Sequence, residues 1–141
     1  MYSREEHGEF LTQRAARILR QYAPEALSSA APDEARSEIA GALPTDSEIL
    51  LIYWRDAELW TCLTTSMLFT KSDRAVGSIN LADVHTGYAW GNEDRMRGEK
   101  EDLRWFRYEP GGPWFWAPTA ERSSLLLSLL QYATYKNVSR P

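Results

Sequence analysis

Cysteine and histidine are scarce in this sequence: Cys62 is the single cysteine, and His7 and His85 are the two histidines. A lone cysteine excludes an internal disulfide. Three such side chains, scattered along the chain, cannot supply a structural zinc site, which needs several ligands at close spacing. A catalytic triad needs a positioned histidine. Only Asp83, His85 and Cys62 have the composition of a nucleophile set, and no motif surrounds them. Long apolar runs are missing as well. None approaches the roughly 20 residues that span a bilayer. The start, Met1 to His7, is charged and has no apolar segment, so no signal peptide and a cytoplasmic location are expected. Positive charge is not in excess: 16 Lys and Arg stand against 20 Asp and Glu, a net charge of −4. That balance argues against nucleic acid and anionic membranes, which reward a basic face. No glycine-rich phosphate loop precedes a helix, because Gly111-Gly112 lies between two strand-like runs. No catalytic residue, cofactor or metal is therefore expected.

Apolar material is plentiful. Of 141 residues, 43% are hydrophobic and 12% aromatic, with six tryptophans. One compact domain with a real core is expected at this length. The first segment reads as a helix. Ser3 and Glu6 have capping-box spacing, and Phe10, Leu11, Ala15, Ile18, Leu19 and Tyr22 recur on one face. Arg14, Arg17 and Arg20 follow Glu5, Glu6 and Glu9, which is the pattern of a solvated helix face. Pro24 ends the pattern. Pro32, followed by Asp33 and Glu34, suits the start of a second short helix that carries Ile39 and Leu43 and stops at Pro44. Residues 1–44 are thus expected as an N-terminal helical extension packed on a main unit, 45–141.

Strand-like runs follow one another from about residue 48. Glu48–Trp54 is nearly continuous in apolar residues, as for a strand covered on both faces. Leu59–Thr64 and Met67–Thr70 are rich in β-favouring types, and Cys62 inside the first of these reads as a small buried hydrophobe. Arg55–Glu58 and Lys71–Arg74 are the intervening turns. Val76–Val84 alternates loosely, Gly87–Trp90 follows, and Leu103–Tyr108 alternates well. Glu109-Pro-Gly-Gly-Pro113 is a turn before the last strand, Trp114–Trp116. Thr119 then caps a closing amphipathic helix that runs to about Asn137, with Glu121 in its first turn. Its apolar stripe is Leu125, Leu126, Leu129, Leu130 and Ala133, widened by Leu127, with Tyr132 nearby.

About seven strands and one closing helix is the order of the pleckstrin-homology-like barrel. Ile49–Asn137 resembles the bacterial PH-like and GRAM-type members of that superfold through Trp60–Phe69 and Gly77–Val84. Ile79, Leu81, Asp83 and Val84 stand in the "I-x-L-x-D-I/V" step seen in such domains. The resemblance implies an α+β fold: a PH-like antiparallel β-barrel of about seven strands, capped by a C-terminal helix. Phosphoinositide binding, the activity best known for such domains, uses Lys and Arg around the first hairpin. Here that loop is Arg55-Asp56-Ala57-Glu58, and Lys71 and Arg74 are the cations of the second, so a polyphosphate headgroup is disfavoured. The family's other use, a rigid barrel that presents loops and an edge to proteins, remains. The alternative fold is a helix-grip or secretion-chaperone-like α+β domain with fewer strands.

Two features are candidates for recognition. The loop Asn92–Asp102 carries Glu93, Asp94, Glu99, Glu101 and Asp102, interleaved with Arg95, Arg97 and Lys100 and without EF-hand spacing. In Trp114-Phe115-Trp116, alternation puts Trp114 and Trp116 on one face and Phe115 on the other. That aromatic face is either covered by the N-terminal helices or exposed as an interface patch. The expectation is a non-enzymatic protein-interaction module that uses Trp114, Trp116 and the acids of this loop. An immunity- or inhibitor-type protein that neutralises a basic partner is the role such a module suits. The alternatives are a small-ligand or lipid-binding module with a pocket between barrel and helix, and an enzyme using Asp83 and His85.

Overall fold

In a computed structural model the backbone is described at residues 4–43, 48–72, 74–84, 89–90, 103–108 and 111–138, and side chains at 12–43, 48–72, 74–81, 83–84, 103–108 and 111–131. The chain is α+β. Helix α1 (Arg4–Tyr22) leads through two short 3-10 turns to α2 (Asp33–Ala42). Four strands follow: β1 (Ile49–Asp56), β2 (Leu59–Thr64), β3 (Met67–Ser72) and β4 (Ala75–Asn80). After a 3-10 turn at Leu81–Asp83 come three short segments, β5 (Ala89–Trp90), β6 (Trp105–Arg107) and β7 (Phe115–Trp116), and then α3 (Ala120–Val138).

The first four strands form one antiparallel sheet in the order β1-β2-β3-β4, and the last three form a second in the order β5-β6-β7. The expected single barrel is corrected here: among the described residues no ladder joins the two sheets. The reason lies in the lengths. Segments of two or three residues offer few backbone groups, and the second sheet packs across the first instead of extending it. The loosely alternating stretch after Val76 also divides. It pairs only to Asn80, and Leu81 and Val84 are then buried from a 3-10 turn.

The first two strand connections and the start of α3 have local causes. Asp56 Oδ1 accepts the backbone N–H of Glu58 (2.8 Å) and of Leu59 (3.1 Å), which bends the β1–β2 connection. Thr64 Oγ1 accepts the N–H of Met67 (3.0 Å) between β2 and β3. Thr119 Oγ1 accepts the N–H of Arg122 (3.1 Å) and so caps α3 as its sequence implies.

The first sheet is covered on both faces at its centre, as the apolar run of β1 implies; every residue of β2 is buried, whereas β4 is largely exposed. On one face α2 lays Ala35 and Ile39 over Ile52, Trp60, Cys62 and Phe69, and Lys71 Nζ donates to Glu38 Oε1 at 3.0 Å to tie the helix to β3. On the other face a larger cluster joins Ala15, Leu19 and Ala23 of the N-terminal segment to Leu51, Leu63 and Leu68, to Phe106 and Phe115, and to Leu126, Leu129 and Leu130 of α3. Tyr22 departs from its expected place on the apolar face of α1: it is 60% exposed, and Ala23 and Ala26 complete the contact instead. The capping pair Ser3–Glu6, Phe10, Leu11, Tyr132 and Ala133 lie outside the residues with described side chains.

One buried polar chain fastens the two sheets. Ala117 N donates to Arg104 O at 2.8 Å, so by antiparallel alternation the amide of Trp116 turns away from β6. Thr61 Oγ1 of β2 meets that amide at 3.2 Å. Thr70 donates its hydroxyl proton to Trp60 O (3.1 Å), so in the 3.0 Å contact between the two hydroxyls Thr61 is the donor. Thr61→Val keeps the shape and strands the Trp116 N–H in a dry layer. The expected loss is about 1–3 kcal/mol, read as a lower urea midpoint. An unchanged midpoint would show that this amide does not depend on Thr61.

Gly77 has a steric role. A Cβ there would lie 2.4 Å from Pro113 Cβ, so β4 lets the turn before β7 approach only because this side chain is absent.

Candidate functional site

Of the residues singled out as a nucleophile set, Cys62 and Asp83 lie within the described residues. Cys62 is buried, and burial pushes its thiol up to about 12. At neutral pH it therefore carries essentially no thiolate. Asp83 is exposed at the end of a 3-10 turn, and His85 lies outside the described residues. No group of His, Cys, Asp and Glu among the described residues is arranged to hold a metal ion.

The tryptophan pair is split by depth. Trp116 is 5% exposed and belongs to the core. Trp114 is half-buried against that core, with the Arg107 guanidinium 4.4 Å above its ring centroid. Phe115, expected on the opposite face, is also buried and packs on Phe106 at 5.7 Å. Of the three, Trp114 is the one that reaches the surface. Glu93, Asp94, Glu99, Glu101 and Asp102 lie outside the described residues.

A cleft stands elsewhere, where the N-terminal segment, β1 and the start of α3 meet. Its volume is about 480 Å³. Ala26, Ala31, Pro32, Ile52, Trp54 and Pro118 give it apolar walls, and Glu25, Tyr53, Thr119, Glu121 and Arg122 line it with polar groups. Local structure explains the placement. The 3-10 turn Pro24–Ala26 brings in Glu25, the extended residues before α2 bring in Ala31 and Pro32, and the Thr119 cap sets Glu121 and Arg122 in the first turn of α3.

Arg122 is held from two sides. Its Nε and Nη2 donate to Glu25 Oε1 at 3.0 and 2.6 Å. Its carbonyl oxygen accepts the Tyr53 hydroxyl at 2.7 Å. Hydrogen bonding to its own backbone N–H, and then the Arg122 guanidinium, hold the Glu25 carboxyl below the usual carboxylate range, against a partial desolvation. The stabilisation from this contact is therefore present above the usual range and is lost as pH falls through the lowered value. Burial pushes the Tyr53 hydroxyl above the ordinary phenol range, so it stays a neutral donor. The guanidinium is thus committed to Glu25. Glu121 makes no ion pair among the described residues, and its charge also suits the N-terminal end of the α3 dipole.

The cleft can accept a group with an apolar body and a positive end. Trp54 supplies an aromatic wall, and the charged lining is two carboxylates against one guanidinium. Sequence reasoning passed over Glu25, Tyr53, Trp54 and Arg122 as site residues and read Glu121 only as a helix-start acid. They belong to three separate segments, and the Glu25–Arg122 contact spans 97 positions. Comparison with protein-family models, curated proteins and solved structures finds no match for this chain.

Proposed function

We propose that this chain is a non-enzymatic protein-interaction module whose recognition site is the cleft between its N-terminal segment, β1 and α3, and that its partner inserts a basic side chain there. The observation that carries the reading is the cleft's lining: Glu25, Glu121 and Trp54 beside apolar walls, with the Arg122 guanidinium already bound. The overall charge of −4 favours encounter with a basic partner. An immunity- or inhibitor-type role follows as the simplest use of such a module. The PH-like resemblance agrees with the order of antiparallel strands followed by a closing helix, and it remains part of this proposal. The acids of 93–102 and Trp114 are a second candidate surface for the same partner.

Capture from native lysate, with proteins identified by mass spectrometry, tests this when three baits are compared. The wild type should retain one stoichiometric protein. Glu121→Lys, an exposed change in the first turn of α3, should lose it while melting as a folded protein. Trp114→Ala should keep it. Loss with Trp114→Ala alone moves the site to the Trp114 surface, and retention by both variants overturns the cleft assignment.

The cleft volume itself favours a second reading, since about 480 Å³ falls within the range of small-molecule sites. On that reading an apolar dye occupies the cleft, a bulky Ala31→Trp substitution excludes it, and liposome flotation separates a lipid ligand from a soluble one.

A further inference from the structure

The four-stranded sheet has two edges, and they are treated differently. At β1 the chain covers the start of its own edge: Leu27 bridges antiparallel to Leu51, and the Ser28 hydroxyl donates to Ile49 O at 2.8 Å. At β4 nothing but β3 pairs with the strand among the described residues. The phase of that ladder is fixed by Leu81 N donating to Ser66 O at 2.9 Å, in register with the pairs Ile79–Leu68, Gly77–Thr70 and Ala75–Ser72. In an antiparallel pair, hydrogen-bonded positions alternate with positions whose amides and carbonyls face away. Val76, Ser78 and Asn80 therefore turn their backbone N–H and C=O groups to the open edge, and all three residues are exposed. The strand's own sequence and pairing lack the usual protections. Ala75–Asn80 contains no charge and no proline, and its pairing with β3 runs without a bulge.

We infer that β4 is a self-association edge that pairs antiparallel with β4 of a second copy of this chain, joining the two four-stranded sheets across a two-fold axis at Ser78. This is independent of the cleft reading. In that register Ser78 faces Ser78 of the second copy and Val76 faces Asn80, so all the outward amides and carbonyls of the three residues find partners. Charge supports the same arrangement. Exposed Arg74 precedes the strand and exposed Asp83 follows it, and neither makes an ion pair among the described residues. Antiparallel pairing about Ser78 brings Arg74 of each copy to the end of the strand where Asp83 of the other stands, whereas a parallel arrangement sets like charges together. The contact is isologous, so pairing at this edge closes at two copies instead of growing into a fibre.

Sedimentation velocity on the full chain over a concentration series tests this. A doubled mass at the upper end is expected. Ser78→Lys should weaken self-association by about tenfold or more, because it places like charges at the two-fold axis. Ser78→Cys should cross-link to itself under mild oxidation, since directly opposed Cα atoms about 5.5 Å apart suit a disulfide. Exposed Ser124→Cys on α3 is the control and should cross-link far more slowly. Cys62 is buried and does not interfere. Thermal melts confirm that each variant is folded. A chain that stays monomeric throughout, a dimer that survives Ser78→Lys, or equal cross-linking by the two cysteine variants would each overturn the inference.

Discussion

Phe106→Ala is expected to destabilise the protein by about 3–5 kcal/mol, the range for truncating a fully buried phenylalanine. In a chain of this length that corresponds to a melting temperature lower by roughly 10–15 °C. Phe106 has no exposed surface. Its ring is 5.7 Å from that of Phe115 across the β6–β7 ladder and 5.9 Å, edge-on, from that of Tyr108. The second sheet depends on this cluster more than on its ladders, because β5 and β7 are two residues long and β6 three. Segments so short are not stable as a sheet on their own. β6 and β7 are held by aromatic side chains that enter the same core as Leu63, Leu68 and Leu129. The loss should therefore appear as an earlier melt of the whole protein in a single transition. Early melting of the β6–β7 region alone, seen as a separate near-ultraviolet circular dichroism transition, would show that the shared core is not cooperative.

The same distinction between ladders and side-chain packing explains what the sequence made legible. β1, β2 and β3 stand close to their expected positions because runs such as Leu59–Thr64 combine β-favouring types with turn residues whose chemistry is local, such as Asp56. The closing helix could be read for the same reason: its Thr119 cap and its leucine stripe are near neighbours in sequence. Whether the strands form one barrel or two sheets depends on which distant edges meet, and nothing in the alternation of Trp105–Arg107 or Phe115–Trp116 encodes that. Alternation also left open whether both faces of Trp114–Trp116 are covered. A strand packed between a sheet on one side and neighbouring aromatics on the other buries both faces, so period two no longer separates inside from outside. The cleft was illegible for a related reason. Glu25 and Arg122 are ordinary surface residues by composition, and only the packing of the Pro24–Ala26 turn beside the start of α3 makes them partners. Val76 and Ser78 belong to the same category: a loosely alternating run does not reveal that it ends a sheet.

Leu19→Ala is the second change expected to have a large effect, about 2–5 kcal/mol as for other buried leucines. It bears on whether residues 1–44 are an appendage. A helix that merely decorates a domain would lose little from one truncation, because the surface beneath it would remain wetted or would collapse. Leu19 instead has no exposed surface and lies in one cluster with Leu51, Phe115 and Leu126, and α1 packs on both β1 and α3. The void left by the missing side chain would lie where α1 packs on β1 and α3, two elements fixed in the same core that relax little toward it, so the cavity cost adds to the lost burial. Tyr22→Ala is the internal control. Tyr22 is on the same helix but 60% exposed, and its truncation should change the urea midpoint little. The ratio of the two effects is the informative quantity. A large loss for Leu19→Ala with an unchanged denaturant slope means that the N-terminal segment and the β-sheets unfold together as one unit. A small loss, or a slope reduced by early release of α1, would mean that the sheets and α3 form a core that stands without it. The cleft would then open with the departing helix, since Glu25 and Ala26 are carried by the chain just beyond it.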